Sequence, residues 1–463
     1  MNTQQNDNST LNMVKFNSLS TVMMSVRPEG MQVADDVDWA QFQVDVIAVK
    51  ATLDASPYQR WALCFDDSYL FLVAFLALAY AEKEIVLPGN HQPSALEELV
   101  DQFDAMLHDH SDNKPLDIPE VQLPLSQTDT SSQDFLFEAL RLSHHKVTLF
   151  TSGSSGTPKA IVKTLANIDA EICHLEQVWG DQLNGASIVS TVSHQHIYGL
   201  LFRVLWPLCS GRPFSRKDFS YPEQVVDASD NNTILISSPA LLKRLEYQLI
   251  DTPYRAIFSS GGPLSLDIAH QTQSMFEQLP IEVFGSTETG GIGYRQQKAT
   301  DTPWKKFDVI DLALNLDGCL QLKSPYLETN DWYQTTDLCE ILGSDHFRVM
   351  GRSDRVVKVE EKRISLVEVE RHLCSLTWIE EAVVLPLEES NRLVIASVIT
   401  LSKEGQESLA KLGRGKLGLT IRQALRQWVE PVGIPRRFRV VDEIPQNSQG
   451  KHQVSELHKL FID

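Results

Sequence analysis

A chain of 463 residues with 42% hydrophobic and 22% charged side chains has enough material for two to four packed domains, which excludes a disordered or fibrous polypeptide. Its formal charge of -20 repels nucleic acid and anionic membranes at long range, so neither is expected as a partner. Any anionic substrate must then be met by particular Lys and Arg residues. The six cysteines (Cys64, Cys173, Cys209, Cys319, Cys339 and Cys374) lack metal-ligand or redox spacing and read as inert thiols of a reducing compartment.

The N-terminus MNTQQNDNST lacks the basic-then-apolar pattern of a signal peptide, and residues 1–35 read as a flexible polar segment. A helix is predicted over 37–53. The apolar run from Tyr69 to Ala81 is shorter than the roughly 20 residues that span a bilayer, so it reads as a buried core helix. With no signal and no span, a cytoplasmic location is expected. Glu84–Leu87 reads as a strand, Ser94-Ala-Leu-Glu97 as a capping box that opens a helix, and 109–133 as a long connection.

From Lys146 onward, short β-rich runs at Lys146–Phe150, Ser187–Val192, Thr233–Ile236, Arg255–Phe258 and Ile281–Phe284 alternate with helix-length stretches. That alternation predicts a parallel sheet with crossover helices. The pattern changes after Gly351-Arg352. Ser365-Leu-Val-Glu368 caps a helix whose Leu366, Val369 and Leu373 share one face, two strands follow at 381–387 and 393–400, Ile421, Leu425 and Trp428 stripe another helix, and a last strand lies near 438–441. The expected fold is α/β: a large domain over 36–352 with mostly parallel sheets flanked by helices, and a small mobile α+β domain over 353–463.

Five stretches carry candidate chemistry. Thr151-Ser-Gly-Ser-Ser-Gly-Thr-Pro-Lys-Ala160 follows a strand and can present consecutive backbone N–H groups, hydroxyls and the Lys159 ammonium to an anion. It is not a Walker A loop, which has four residues between its glycines, and taken alone it fits a plain surface turn better than a phosphate grip. Phe284-Gly-Ser-Thr-Glu288 ends a predicted parallel strand, where open α/β sheets bind ligands; Glu288 offers hard oxygen ligands suited to magnesium, or is simply a solvated turn residue. In Tyr333-Gln-Thr-Thr-Asp337 the carboxylate can accept both hydroxyls of a ribose, or close a turn. Gly351-Arg-Ser-Asp354 lies where the domain character changes, so Asp354 is a hinge candidate or an ordinary interdomain turn residue. Lys451, in Pro445-Gln-Asn-Ser-Gln-Gly-Lys451, is either an exposed turn lysine or a cation delivered by the small domain.

In this order, the five stretches resemble the adenylate-forming superfamily: AMP-dependent acyl- and aryl-CoA synthetases, nonribosomal peptide synthetase adenylation domains and luciferases. His196-Ile-Tyr-Gly-Leu200, Ser259-Ser-Gly-Gly-Pro-Leu264 and Gly318-Cys-Leu-Gln-Leu-Lys-Ser-Pro325 add weaker matches. The resemblance implies attack of a carboxylate on the α-phosphorus of ATP, then transfer of the acyl group to the thiol of CoA or of a pantetheine arm. It implies that Thr151, Ser152, Gly153, Ser154, Ser155, Gly156, Thr157 and Lys159 grip the β- and γ-phosphates. Ser286 and Thr287 would approach the α-phosphate, and Glu288 would coordinate Mg²⁺. Asp337 and Arg352 would hold the ribose, and Gly261 and Gly262 would line the adenine or acyl pocket. Lys451 would bridge the attacking carboxylate and the phosphate, and rotation about Asp354 would then bring the Lys358–Arg363 segment in for the thiol step.

Three departures from the family pattern stand out. Thr336 replaces the glycine of a Thr-Gly-Asp ribose motif. Glu361 stands where a glycine commonly lets the pantetheine arm pass. The region ahead of the phosphate loop is short, as in compact forms found beside assembly genes of secondary metabolism such as those for aryl polyenes. The acyl pocket is expected at His196 and Tyr198, and no acidic residue between His194 and Arg212 offers a partner for an amino acid's ammonium. An aryl or medium-chain acid is therefore favoured. Tyr198, Phe202 and Trp206 suit a flat apolar pocket and a helical core stripe equally. The alternative acceptor is an acyl carrier protein, and the alternative of another class is a catalytically silent homologue that binds a nucleotide as an assembly component.

Overall fold

The computed structural model of the chain describes residues 14–89, 91–110, 117–125, 135–152, 158–248, 250, 252–359, 362–389, 392–446 and 452–462. Their contacts define two compact units, one built from Met1–Gly153, Thr157–Ile310 and Lys323–Asp331, the other mainly from Asp311–Leu322 and Trp332–Asp463. The strands Cys319–Lys323, Tyr333–Leu342 and His346–Arg352 pair with one another in sequence.

In the first unit, one sheet runs in the order Glu120–Gln122, Ala105–His108, Arg60–Cys64, Glu84–Leu87, Lys146–Ser152, Pro158–Thr164. Its first five strands are parallel. Pro158–Thr164 folds back antiparallel on Lys146–Ser152 and sets Lys159 opposite Thr151. The apolar run forms the helix Ser68–Tyr80, buried at every position from Ser68 to Ala79 and capped by Asp67, whose carboxylate accepts from the N–H groups of Tyr69 and Leu70. A helix apolar on all sides is stable only inside a core, and each large side chain buried there contributes on the order of 2 kcal/mol.

The other sheet of this unit contains Ser187–Ser190, Thr233–Ser237, Ala256–Ser259 and Ile281–Ser286 as parallel neighbours, as the alternating pattern predicts. Thr233–Ser237 is buried at all five positions, as a central strand covered on both faces requires. Gly290–Arg295 then returns antiparallel to Ile281–Ser286.

Several local expectations change. From residue 14 the N-terminal segment is packed: Leu19, Val22, Met23 and Val33 are buried, and Leu19 N–H donates to Asp169 at 2.7 Å. Residues 1–13 lie outside the described residues. Ser94 does not cap its helix; Pro93–Glu97 begins two residues earlier than such a cap would set it, after Gln92, because proline at the first helical position is already set for helix. The connection over 109–133 contains the short strand Glu120–Gln122.

In the second unit, Ile379–Glu389 pairs antiparallel with Arg392–Leu401, which pairs parallel with Arg437–Val440. Ser365 caps Leu366–Cys374 by accepting from Glu368 N–H, and Leu366, Val369 and Leu373 are the residues buried. They join Leu417, Ile421 and Leu425 of Lys403–Leu425 in one core. Trp428 falls beyond that helix and is exposed, stacking on His372 at 5.3 Å, so the stripe ends at Leu425. No helix among the described residues is long and apolar enough to cross a membrane.

Candidate active site

The strand Pro158–Thr164 alternates faces, so Lys159 and Lys163 lie on the same side of it. Both reach Glu288, though differently. Lys159 Nζ donates to Glu288 Oε1 at 3.0 Å, joining the first and second sequence motifs. Lys163 Nζ donates to the main-chain oxygens of Glu288 at 2.6 Å and Tyr326 at 2.8 Å. Lys159 is exposed, whereas Lys163 is buried.

Burial pulls the Lys163 ammonium down to about 8, against the attraction of Glu171 and Glu288. Glu171, from the helix Leu165–Trp179, is also buried and accepts from Gly291 N–H at 2.7 Å; burial pushes its carboxyl up to about 7, against that hydrogen bond and the Lys163 charge. For Glu288, partial burial acts upward, but the Lys159 and Ser286 hydrogen bonds and backbone contact outweigh it, and the carboxyl lies below its ordinary value. An ionised carboxylate with hard oxygen ligands fits a magnesium ion.

The turn that carries Ser286, Thr287 and Glu288 is held from within. Thr289 Oγ1 accepts from Ser286 N–H at 3.0 Å, and Ser286 Oγ accepts from Thr289 N–H at 3.2 Å. Gly290, at φ +68°, closes it: a Cβ there would stand 2.5 Å from Glu171 Oε2 and 2.9 Å from the Tyr326 ring. Asn167 fixes the Tyr326 segment by donating to the carbonyls of Pro325 at 3.2 Å and Leu327 at 2.8 Å. Lys163, Glu171 and Asn167 are thus buried supports of the Glu288 turn that sequence reasoning missed. The alternation that carries Lys159 to Lys163 was the available signal.

Gly261 and Gly262 follow the C-terminal end of Ala256–Ser259 and are exposed; among the described residues, chain neighbours apart, no atom lies within 4 Å of a Cβ on either, and φ of +92° makes Gly261 a glycine position. The stripe of Tyr198, Phe202 and Trp206 passes through a π-helical turn, Leu200–Leu205, and its rings remain in sequence contact at 4.9 and 5.6 Å. Phe202 and Trp206 are core residues, and Trp206 Nε1 donates to Glu176 at 2.7 Å. His196 and Tyr198 are half-buried at the start of the stripe.

In the second unit, Asp337 and Arg352 are cross-strand partners, with carboxylate and guanidinium 3.6 Å apart. Arg352 also donates to both carboxylate oxygens of Asp354, at 3.0 and 2.7 Å, and these bonds hold the Asp354 carboxyl below its ordinary value. Thr336 is exposed, and Asp337 N–H is taken by Thr335 Oγ1 at 3.1 Å, so the side chain that replaces glycine does not displace the aspartate from the strand. Thr151 and Ser152 end the strand before the phosphate loop. Gly153, Ser154, Ser155, Gly156, Thr157, Glu361 and Lys451 lie outside the described residues, as do the side chains of Ser152, Lys358 and Arg363.

A family model described as AMP-binding enzyme matches residues 48–314, more than half of the chain and including the Lys159 and Glu288 motifs. The chain belongs to the AMP-binding enzyme family. Other proteins similar to this AMP-binding enzyme include the malonate–CoA ligase of Arabidopsis thaliana, 23% identical over 404 residues, covering 74% of this chain and 66% of that one. The benzoate–CoA ligase of Thauera aromatica is 23% identical over 371 residues, covering 70% and 67%. The chain thus spans about two thirds of the length of these curated relatives. Among solved structures, ATP-bound MatB from Rhodopseudomonas palustris superposes with a TM-score of 0.80 at 16% identity, over 96% of this chain and 99% of that one. The o-succinylbenzoate CoA synthetase MenE from Bacillus subtilis, in complex with AMP, gives 0.76 at 18% identity, over 95% and 98%. These two likenesses establish the shared α/β fold.

Proposed function

We propose that this AMP-binding enzyme activates a carboxylic acid with ATP, releasing pyrophosphate and forming an acyl-adenylate, and then passes the acyl group to a thiol. The observation that carries the reading is the meeting of Lys159 and Glu288, 129 residues apart, at 3.0 Å on the strand that leaves the glycine- and serine-rich loop. A triphosphate needs a cation and a metal-holding carboxylate side by side, and this pair supplies both groups.

On this reading, Lys159 and the loop residues 151–157 bind the β- and γ-phosphates, and Thr287 contacts the α-phosphate. Magnesium held by Glu288 would neutralise part of the triphosphate charge. Asp337 accepts the ribose hydroxyls while Arg352 orients it. Gly261 and Gly262 leave room for a flat group, and His196 and Tyr198 border the acid. An aryl or medium-chain acid suits this border. Lys451 neutralises charge as the two anions approach, and rotation about Asp354, with 36–352 and 353–463 as the bodies that move, opens the thiol step. CoA is the acceptor in the first instance. Glu361, in place of a small residue, supports a second reading in which an acyl carrier protein delivers the thiol, as in assembly-line or aryl polyene biosynthesis.

The test is ATP–pyrophosphate exchange with a panel of aryl, medium-chain and amino acids. Exchange is expected with a member of the first two classes and not with amino acids. Lys451→Ala should lower it by about 10²–10³, the usual cost of removing one preorganised donor of transition-state stabilisation. Full-rate exchange in that variant removes Lys451 from the mechanism.

A further inference from the structure

At the C-terminal edge of the first sheet, three side chains converge that the adenylation chemistry does not use. Arg60–Cys64 lies between Ala105–His108 and Glu84–Leu87, all parallel. Beyond the central strand stands Asp66; beyond its two neighbours stand His110 and His91. His91 Nε2 is 3.2 Å from Asp66 Oδ1, and His110 Nδ1 is 3.8 Å from Asp66 Oδ2. The two imidazole rings are tilted by 49° to each other, with centroids 4.9 Å apart. One ligand atom from each residue lies within 4.8 Å of the others.

We propose that Asp66, His91 and His110 form a binding site for a divalent transition-metal ion of the zinc class, separate from the magnesium expected at Glu288. Two imidazoles and one carboxylate, leaving a fourth position for water, is a ligand set that zinc adopts. Tetrahedral ligands about 2.1 Å from zinc stand about 3.4 Å apart, so small side-chain rotations close the trio onto an ion.

Two further observations describe the surroundings of the trio. The ring nitrogens that face Asp66 are His91 Nε2 and His110 Nδ1, the atoms that would ligate the ion; the opposite nitrogens, His91 Nδ1 and His110 Nε2, are buried with no hydrogen-bond partner among the described residues. The Asp66 loop is also fixed in advance: Asp109 accepts from Asp66 N–H at 3.2 and 3.1 Å and from Asp67 N–H at 2.8 Å.

The site clamps the ends of three strands beside the strand that feeds the phosphate loop. Gly89, in the turn leading to His91, lies so close to that strand that a Cβ there would stand 3.1 Å from Phe150 O. The net charge of the metal and its three ligands is positive, which offsets part of the local acidity at an edge meant for anions.

The probes are Co²⁺ and Zn²⁺ added to the chelator-treated full chain. One equivalent of Co²⁺ should give the d–d absorption of a low-symmetry nitrogen–oxygen site, displaced by Zn²⁺ and not by excess Mg²⁺. His91→Gln, His110→Gln and the exposed-site variant Asp66→Asn should each abolish or shift that spectrum, and Zn²⁺ should raise the melting midpoint of the parent chain alone. Absence of the absorption in the parent chain overturns the proposal. So does an unchanged spectrum in all three variants, which would locate the ion elsewhere, or displacement by Mg²⁺. None of these readouts depends on adenylation.

Discussion

Glu171 is the residue whose environment is furthest from water among the supports of the Glu288 turn. It is buried, bonded to Gly291 N–H and within the field of Lys163. Its carboxyl ionises near 4.5 in an unfolded chain but near 7 in the fold. Between those values the folded state binds more protons than the unfolded state, so stability falls as pH rises from 4.5 to 7. The range corresponds to on the order of 3 kcal/mol at most. Glu171→Gln, which cannot ionise, should flatten this part of the profile. Melting midpoints at pH 5 and pH 7 for both chains check it, and an equal fall in both would discard the assignment. Neither Glu171 nor Lys163 was legible as a buried pair. A lysine in an alternating strand and a glutamate on a helix read as solvated faces until the turn between Ser286 and Gly290 covers them. Lys159 and Glu288 were legible because their motifs each surround them with small residues that leave room for a ligand.

At the scale of elements, the segment from His346–Arg352 into residues 353–355 joins a strand to a short helical turn, and Asp354 within it is tied to Arg352 by two hydrogen bonds. If rotation about Asp354 separates the two half-reactions, Asp354→Pro should fix φ there and slow thioester formation far more than ATP–pyrophosphate exchange. Single-turnover transfer from preformed acyl-adenylate measures the first, exchange at saturating ATP the second. Equal rates of transfer in the two chains would remove the hinge from Asp354. Periodicity revealed most of the elements: the parallel strands over 187–286, the all-apolar helix and the Ser365 cap follow from local pattern alone. It failed where a neighbour decides. Trp428 has helical spacing from Ile421 and Leu425, yet the helix stops at Leu425 and the ring turns to His372. Ser94 has capping-box spacing, yet Pro93 had already started the helix.

At the scale of the molecule, the chain combines an acidic surface with a few placed cations, and its acceptor is the least determined of its proposed partners. Glu361→Gly tests that choice. If the carboxylate blocks the usual path of a free pantetheine, the variant should form more CoA thioester, roughly tenfold if about 1.4 kcal/mol of clash and repulsion is removed. Transfer to an acyl carrier protein should change less. A thioester yield identical to the parent chain's for both acceptors would make Glu361 irrelevant to acceptor selection. The order of motifs made the family legible from the sequence, whereas the proposed choice of acceptor rests on the identity of Glu361, which no fold-level likeness specifies.

Arg352 has a consequence for how these proposed steps communicate. One guanidinium faces Asp337 across the strand pair and grips Asp354 two residues on. On the proposed reading, a ribose drawn to Asp337 would compete for the same cation that steadies Asp354. Linkage is reciprocal: whatever factor nucleotide occupancy imposes on the freedom of residue 354, that freedom imposes on nucleotide affinity. A single arginine would then let the substrate's sugar report its presence to the pivot without any relay through the protein interior.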